Sequence, residues 1–492
     1  MKIQPNQKRF LELAENFSRI AVWGEVSFKK LSLASLHKEF FNGQKNSFLF
    51  ESGQGLAKTA RYSFSGRSNS KWICFEDAFL QFNNNGHIIE EPAKPNYCFE
   101  LMEFEQSASP EGPPHFWGGW VGYISYDMVR CLEKFKTRNK TRSEFPDLYF
   151  FQVERLFVYD HENQILKYII AEKIHGKAIT HYQNCIENIR AVENKIKNLK
   201  SKSLLISLED CTPLNKSRVN RNFRCNIDRN HYIKMVQTAK NYIESGDIYQ
   251  ANLSQRFEID YEKDPFDLYT RLRRINPAPF SAFLQFNDFA IVSSSPERLI
   301  KLDNHSLETR PIAGTRPRGR TPGEDENMST DLLLNEKEKA EHLMLVDLER
   351  NDLGRISCFG TVSVTDMMFL EHYSHVIHIV SNVGGRARNN TTLEEIIRAV
   401  FPGGTITGCP KIRCMEIIEE LEPSPRGPYS GSLGYIGFNR LMDLSIIIRT
   451  VIVHNGKASF HAGAGIVADS DPEKEYMETL SKAEAMKKAL LI

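Results

Sequence analysis

The 492-residue sequence predicts an α+β protein built on large, mostly antiparallel β-sheets. Short alternating stretches of β-branched and aromatic residues, typical of strands, are interspersed with amphipathic stretches typical of helices. These stretches follow no regular strand–helix–strand order, which a parallel sheet would require. No internal repeat of roughly twenty to fifty residues indicates a solenoid or a propeller.

Composition and charge limit the class of protein. The apolar fraction of 41% is enough to fill a large core. The formal charge of +1 provides no basic field for nucleic acid. The nine cysteines show no CxxC spacing, which is typical of reduced thiols. The sequence also lacks the apolar segment of a signal peptide and any apolar run long enough for a membrane span. We therefore expect a cytoplasmic protein that binds neither nucleic acid nor membrane.

Composition divides the chain into three segments. Residues 1–200 are predicted to form an N-terminal domain, in which LYFFQVERLFVYD (148–160) and QILKYIIAEK (164–173) form a β-hairpin. The Lys-, Ser- and Asn-rich residues 201–227 are predicted to be a linker. Residues 228–492 are predicted to form a second domain, which holds most of the polar motifs discussed below.

A predicted helix over Asn335–Asp352 places two carboxylates on its apolar face. A helix-start signal at Ser329 and Thr330 precedes it, and no Gly or Pro interrupts it before Gly354. A charge on an apolar face costs several kcal/mol unless it is compensated, and a cation that prefers oxygen ligands compensates it. A solvated glutamate face is the alternative. The residues that share the face, at steps of four, three, four and three, are Leu334, Glu338, Glu341, Leu345 and Leu348.

The last predicted helix, which begins at Pro472, repeats this pattern. Glu475, Glu478 and Lys482 lie at steps of three and four on one face. Two E-x-x-E pairs on separate helices are able to form a Mg²⁺ site for a substrate that supplies further oxygens. A structural network of ion pairs is the alternative.

Three further features are typical of an enzyme that acts on an acidic substrate. The small residues Gly463-Ala464-Gly465 leave backbone N–H groups able to meet an anion, although a tight turn also explains them. Arg449 ends an apolar run, LSIIIRT, in a predicted buried strand, and a buried guanidinium needs an anionic partner. Glu297 follows a proline at a strand edge, where it is either a general acid or a surface residue. The residues alone therefore predict a Mg²⁺-assisted enzyme that acts on a small polycarboxylate.

Several motifs closely resemble those of the chorismate-utilising enzymes. They are SPERLI, ETRPIAGTRPRG, EKEKAEHLMLVDLERNDLGR, HYSHVIHIVSNV, FPGGTITGCPKIRCMEIIEELEP and GAGIVADSDPEKEYMET, and they cover about residues 228–490. SFLFES, ARYSF and GGWVGYISYD are similar to the N-terminal region of the amino-transferring members. The resemblance implies the fold of this family, in which the antiparallel sheets pack as a sandwich with helices outside.

The resemblance also implies roles for individual residues. Glu297 would be the general acid, and His378 matches the active-site histidine of the family. Glu341 and Glu478 would bind Mg²⁺, with Glu338 and Glu475 close by. The residues implied to contact chorismate are Gln250, Ala313, Thr405, Tyr429, Arg449, Gly463, Ala464, Gly465 and Lys482. The residues that match a tryptophan-binding site are Ser52, Arg61, Tyr62, Pro279, Phe280 and Ser281.

Details within the family resemble the aminodeoxychorismate synthases. Gln250 stands where the water-using members have Lys, which implies that ammonia is the nucleophile. YQANLSQRF, NPAPFSAFL and FPGGTITG are similar to the versions in aminodeoxychorismate synthase component I. Ala313 differs from the nucleophilic Lys of some of these enzymes. We expect the chain to take ammonia from a glutamine amidotransferase subunit, with L-tryptophan as a candidate ligand. Anthranilate synthase component I and a catalytically inactive tryptophan-binding protein are the alternatives.

Overall fold

The computed structural model describes residues 1–28, 32–52, 61–68, 71–76, 79–84, 87–134, 142–201, 223–372 and 376–492. Within these residues the helices, in chain order, are α1 Gln7–Ala14, α2 Leu33–Phe41, α3 Pro95–Leu101, α4 Val129–Leu132, α5 Ala178–Ser201, α6 Arg229–Glu244, α7 Pro265–Ile275, α8 Pro322–Leu334, α9 Glu336–Gly354, α10 Leu393–Val400, α11 Lys411–Leu421 and α12 Pro472–Leu491. Short 3₁₀-helices lie at Tyr126–Met128 and Gly404–Ile406.

The strands lie between these helices without a repeating order. In chain order they are β1 Lys2–Gln4, β2 Val22–Ser27, β3 Ser47–Glu51, β4 Tyr62–Arg67, β5 Lys71–Glu76, β6 Phe79–Asn84, β7 His87–Pro92, β8 Gly119–Ile124, β9 Leu148–Val153, β10 Arg155–Asp160, β11 Ile165–Ile170, β12 Arg224–Cys225, β13 Gln250–Asp260, β14 Phe280–Gln285, β15 Phe289–Ser295, β16 Arg298–Asp303, β17 Ser306–Thr309, β18 Ile312–Pro317, β19 Ser363–His372, β20 Val376–Arg386, β21 Gly408–Cys409, β22 Ser432–Gly437, β23 Leu441–Ile446, β24 Thr450–His454 and β25 Lys457–Ile466.

The strands form two large antiparallel sheets. The first has 13 strands in the order β1-β2-β11-β10-β4-β3-β14-β15-β24-β25-β13-β12, with β21 beside β13. The second has 12 strands in the order β18-β20-β17-β16-β23-β22-β8-β9-β5-β6-β7, with β19 beside β20. The predicted α+β class with antiparallel sheets is therefore confirmed.

The two sheets pack face to face, and helices cover their outer faces. Between the sheets lies a cluster of buried aromatic and aliphatic side chains that includes Phe48 and Leu284 from the first sheet and Val121 and Phe151 from the second. A second cluster joins the outer face of the first sheet to α1, α2, α5, α7 and α12. A third joins the second sheet to α3, α6, α9, α10 and α11. This arrangement is the predicted sandwich, and burial of its apolar faces is what holds the layers together.

Both ends of the chain contribute neighbouring strands to both sheets. In the first sheet β3 pairs with β14, so that Phe48 lies opposite Leu284. In the second sheet β8 pairs with β22, so that Val121 lies opposite Tyr435. The division into domains at 1–200 and 228–492 stays a prediction about chain segments. Most of the predicted linker, residues 202–222, lies outside the described residues.

Two predicted strands are each divided between the sheets. Residues 148–160 form β9 in the second sheet and β10 in the first, with a bend at Glu154. The predicted hairpin is formed by β10 and β11 alone. Similarly, the run LSIIIRTVIV contains the last residues of β23, in the second sheet, and the first residues of β24, in the first sheet. The predicted buried strand LSIIIRT is therefore not a single strand, because the chain crosses between the sheets at residues 447–449.

The start of the carboxylate-bearing helix also differs from the prediction. Ser329 and Thr330 lie inside α8, and Asn335 caps α9 by accepting a hydrogen bond from the backbone N–H of Glu338 at 3.0 Å. Asn is among the residues best suited to this capping position. No helix in the described part of the chain is long and apolar enough to cross a membrane.

Candidate active site

The predicted site residues come together where β13, β25, α9, α12 and the Gly404–Ile406 turn meet. The Gln250 side-chain amide donates to Glu341 Oε1 at 3.3 Å, which joins β13 to α9. Lys482 Nζ donates to the Gly463 carbonyl at 3.1 Å, which joins α12 to β25. Arg449 Nη1 donates to the Lys482 carbonyl. These contacts connect residues that lie 19 to 91 positions apart in the sequence.

Gly463 and Gly465 allow β25 to lie directly against other site residues. A Cβ atom on Gly463 would lie 2.6 Å from Asn252 Oδ1 and 2.8 Å from the Tyr429 hydroxyl oxygen. A Cβ on Gly465 would lie 2.4 Å from Gln250 Nε2. Both glycines are inside β25 and not in a tight turn. Pairing of β24 with β25 ends at Ser459, so among the described strands this end of β25 is paired with β13 alone.

Glu297 is a buried carboxyl in the bend between β15 and β16. Its side chain lies beside Thr405 and within the field of Lys482. Burial raises the pKa of Glu297 to about 7, an effect that Thr405 and Lys482 only partly offset. Oε1 of Glu297 and Oγ1 of Thr405 are both buried and have no hydrogen-bond partner in the described part of the chain. A carboxyl in this state is able to donate a proton near neutral pH.

His378 lies on β20, beside the irregularity in β18 at Gly314. Its Nδ1 is 3.2 Å from the Gly314 carbonyl oxygen, which accepts the Nδ1–H hydrogen bond. Burial lowers the pKa of His378, and the charge of Arg449 lowers it further. The imidazole is therefore neutral at pH 7. Ala313 precedes Gly314 in β18 and is buried, and it lies opposite Ile379, the residue that follows His378 in β20.

Arg449 is a partly buried guanidinium with no ion pair to another described residue. It lies in the crossing between β23 and β24 with a φ of 52°, and not within a strand as predicted. In the described residues no carboxylate lies within ion-pair distance of it, although its surroundings include Tyr429 and Glu478. Tyr429 is itself buried, and its ring stacks on His461 at 4.9 Å. A partly buried cation without a carboxylate partner among the described residues is suited to an anionic ligand.

The four predicted metal ligands lie on α9 and α12 at this site. Glu478 pairs with Lys482 at 2.7 Å, and Glu338 pairs with Arg316 at 3.1 Å. A Cβ on Gly465 would lie 3.8 Å from Glu341 Oε1, so Glu341 borders the same end of β25 as Lys482 and Glu478. Glu475 is buried in the first turn of α12.

This set of carboxylates fits a hard cation in its chemistry. Oxygen donors from two helices are what Mg²⁺ prefers, and few protein carboxylates are needed when the substrate and water supply the rest. Among the described residues no three His, Cys, Asp or Glu side chains already form a metal-binding cluster. Mg²⁺ binding would therefore require Glu478 and Glu338 to exchange their present cationic partners.

Comparison with known proteins identifies the family of the chain. The chain matches the family model described as chorismate binding enzyme over residues 55–488. It is 39% identical to anthranilate synthase component 1 of Acetivibrio thermocellus over 480 residues, which cover 97% of this chain and 96% of that protein. It is also 39% identical to aminodeoxychorismate synthase component 1 of Bacillus subtilis (strain 168) over 468 residues, which cover 95% and 96%.

The chain belongs to the chorismate-binding enzyme family. Its fold agrees with this assignment: the crystal structure of anthranilate synthase component I from Streptococcus pneumoniae TIGR4 superposes with a TM-score of 0.70 at 33% identity, covering 88% of this chain and 93% of that one. The two component types are equally similar to this chorismate-binding enzyme in sequence, so identity alone does not separate them.

A second cavity of this chorismate-binding enzyme lies between the sheets. It has a volume of about 310 Å³, which is within the range of small-molecule sites. Its walls come from both ends of the chain and include Glu51, Arg298 and Tyr435. All of the residues that match a tryptophan-binding site line it, namely Ser52, Arg61, Tyr62, Pro279, Phe280 and Ser281.

Sequence reasoning missed a group of buried charges behind Glu297. Glu349 accepts a hydrogen bond from the Thr309 hydroxyl at 2.8 Å, and Lys411 pairs with Asp352 at 2.6 Å. Burial raises the pKa of Glu349 to about 8, and the charges of Asp352 and Glu297 contribute. Glu349 lies one helical turn after Leu345, and Asp352 lies one turn after Leu348. Extending the spacing that identified Glu338 and Glu341 by one turn would therefore have found both acids.

Proposed function

We propose that this protein is component I of an aminodeoxychorismate synthase, which replaces the C4 hydroxyl of chorismate with an amino group. Ammonia would come from a glutamine amidotransferase subunit, and Mg²⁺ would be required. The observation that supports this proposal most strongly is the partly buried guanidinium of Arg449, which lies beside Tyr429 and has no carboxylate partner among the described residues. It donates to the carbonyl of Lys482, whose side chain in turn lies near Glu297. A substrate carboxylate is the counter-ion that this cation lacks.

The residues would act on chorismate in distinct ways. Arg449, Tyr429, Lys482 and the backbone amides of Gly463–Gly465 would hold its carboxylates. Thr405 would line the pocket beside the leaving group. Because the pKa of Glu297 is raised to about 7, this carboxyl would be protonated often enough at neutral pH to give its proton to the departing hydroxyl, which leaves as water.

Neutral His378 would lie against the substrate near Ala313, held by its bond to the Gly314 carbonyl. Gln250 carries no charge and no basic nitrogen, so it would not activate water as a nucleophile, which is consistent with attack by ammonia. Mg²⁺, held by Glu341 and Glu478 with Glu338 and Glu475 close by, would neutralise the ring carboxylate when bound.

Anthranilate synthase component I is the second candidate, and Ala313 favours it. The methyl group of alanine is not a nucleophile, so a covalent intermediate on this side chain is impossible. Against it stand the three motifs that resemble aminodeoxychorismate synthases, YQANLSQRF, NPAPFSAFL and FPGGTITG. The first of these places Asn252 beside Gly463, in the wall of the site.

Product identity tests the proposal directly. The purified chain would be incubated with chorismate, Mg²⁺ and excess ammonium at alkaline pH, and the products separated by mass spectrometry, with and without a lyase that converts aminodeoxychorismate to p-aminobenzoate. We expect aminodeoxychorismate, and p-aminobenzoate only when the lyase is added. Direct formation of anthranilate and pyruvate would assign the protein to the second candidate function.

The cavity between the sheets is proposed to bind L-tryptophan. Its size, its aromatic walls of Tyr62 and Phe280, and the carboxylate of Glu51 suit an aromatic amino acid with a charged amino group.

A further inference from the structure

Arg426 lies buried behind the pocket, and each of its five N–H donors has an acceptor. Nε and Nη2 donate to the two carboxylate oxygens of Glu422, at 2.9 and 2.7 Å. Nη1 donates to the Ile406 carbonyl at 2.9 Å and to the Ser430 hydroxyl at 3.1 Å. Nη2 also donates to the Asn252 carbonyl at 2.6 Å. A guanidinium has five such donors, so none is left for a ligand.

Three of these acceptors belong to the segments that form the substrate pocket. Ile406 directly follows Thr405, and Ser430 directly follows Tyr429. Asn252 lies in β13 two residues after Gln250, and it is opposite Gly465 in the pairing with β25. One side chain therefore joins three pocket segments that are separated by up to 178 positions in the sequence, from 252 to 430.

Glu422 and two aromatic rings keep the guanidinium in place. Oε1 of Glu422 also accepts hydrogen bonds from the backbone N–H and the hydroxyl of Ser254, at 2.8 and 3.0 Å, which holds β13 a second time. The guanidinium carbon of Arg426 lies 4.9 Å from the ring centre of Tyr126 and 5.6 Å from that of Tyr429. Arg426 and Glu422 are almost fully buried. Such a fully bonded pair has a single low-energy arrangement.

We propose that Arg426 is a positioning residue for the pocket, setting the distances between Thr405, Gln250 and Tyr429 without touching the substrate itself. The proposal rests on the proposed function only in taking chorismate as the substrate. A purely stabilising role would require only a buried charge pair. A positioning role requires the particular hydrogen bonds by which Arg426 joins the three pocket segments. A lysine at this position would keep the charge but supply three donors from one point, which do not reach three separate segments.

The first test compares Arg426→Lys with Arg19→Lys. Arg19 is a matched control, because it is also fully buried, donates to Glu105 and Glu154 at 2.8 Å and to the Ala171 carbonyl, and lies far from the pocket in sequence and contacts. We expect Arg426→Lys to lower kcat/KM for chorismate consumption by about 100-fold, the effect of misplacing reacting groups by about 1 Å. Arg19→Lys should lose thermal stability to a similar extent and retain kcat/KM within a few-fold.

A second variant separates positioning from stability. In Arg426→Met/Glu422→Leu, an apolar pair of similar volume replaces the charges, which often preserves stability. The carbonyls of Ile406 and Asn252 and the Ser254 donors lose their partners in this double variant, so we expect it to melt below the wild type. It should still melt above Arg426→Met alone, which leaves the Glu422 charge buried and unpaired, while kcat/KM stays low in both. Recovery of both properties together would overturn the proposal, because burial alone would then explain the role of the pair.

Hydrogen exchange gives a readout that does not depend on turnover. In Arg426→Lys without substrate, amide exchange should accelerate in residues 250–254, 404–408 and 429–433 together, since all three lose a shared anchor. In Arg19→Lys these segments should exchange as in the wild type. Faster exchange confined to residues 422–426 would contradict the proposal. If the wild type did not consume chorismate, the proposed function would fail, and the exchange result would still decide the role of Arg426.

Discussion

At the scale of single residues, burial sets the protonation of the acids in this site. Glu297 and Glu349 lie in different elements, and both have raised pKa values because an ionised carboxylate is poorly solvated there. The two cations nearby are arranged differently. Lys411 is paired with Asp352, whereas Arg449 has no carboxylate within ion-pair distance in the described residues. Arg449 is therefore suited to an anionic ligand.

Glu297→Gln should abolish turnover and leave chorismate binding nearly unchanged. Glutamine keeps the shape of the side chain but has no proton to give, and general acids of this kind contribute about 10²- to 10⁴-fold to rate. Wild-type kcat/KM should also fall as pH rises through about 7, since the protonated form is the active one. Steady-state kinetics and calorimetry with chorismate measure both effects. Exposed Glu262→Gln is the control, and a loss of affinity without a loss of kcat would remove Glu297 from the acid role.

The stability of Glu349→Gln relative to the wild type should be greater at pH 8 than at pH 5. The pKa of Glu349 in the fold, about 8, is above the ordinary value of 4.5, so its favourable contribution is complete below pH 4.5 and is lost as pH rises towards 8. Glutamine does not titrate and still accepts the Thr309 hydrogen bond. The gain should be on the order of a few kcal/mol. Melting temperatures of the variant and the wild type at pH 5 and pH 8 test this prediction. The same difference in melting temperature between the two proteins at both pH values would contradict it.

At the scale of elements, helices were easier to predict than strand membership. The apolar and acidic stripes of α9 and α12 follow from a period of 3.6 residues that does not depend on distant contacts. The divisions at Glu154 and Arg449 could not be predicted, because an apolar run has the same alternation whether it stays in one sheet or crosses to the next. Site residues found by resemblance do converge, whereas the role of Arg426 could not be predicted because two of its acceptors, the carbonyls of Ile406 and Asn252, are distant in sequence.

Glu341→Gln and Glu478→Gln should each raise the Mg²⁺ concentration required for half-maximal activity by at least about 10-fold. Each change removes one anionic oxygen from a donor set that spans α9 and α12. Glu484→Gln on α12 is the matched control, because Glu484 is exposed and pairs with Lys488 at 3.1 Å away from the site. Activity measured over a Mg²⁺ titration, together with calorimetric Mg²⁺ binding, gives the result. An unchanged Mg²⁺ requirement in both variants would rule out these glutamates as ligands.

At the scale of the whole molecule, the two cavities share structural elements. Glu297 faces the active site, and the next residue, Arg298, lines the cavity between the sheets. Arg298 holds Asp443 of β23 through two hydrogen bonds, at 2.9 and 3.0 Å. The walls of that cavity come from both ends of the chain, so its shape depends on the complete pairing of both sheets.

Calorimetry should detect L-tryptophan binding to the wild type and not to Ser52→Arg. The Ser52 hydroxyl donates to the Tyr62 carbonyl at 2.8 Å on the cavity wall, and an arginine there would fill the space that the ligand needs. Ser245→Arg, at the exposed end of α6, is the control and should bind as the wild type does. Absence of binding heat in the wild type at several temperatures would show that the cavity is not a tryptophan site.

The insertion of early strands between late ones affects the order in which the protein can fold during synthesis. β3 and β8 emerge from the ribosome well before their partners β14 and β22, which are complete only when Gln285 and Gly437 have been added. Until those residues are made, each early strand has one open hydrogen-bonding edge, which is able to pair with other chains. The nascent protein therefore remains open to misassociation until nearly its whole length has been translated, and it should depend on chaperones more than a chain of separately folding domains.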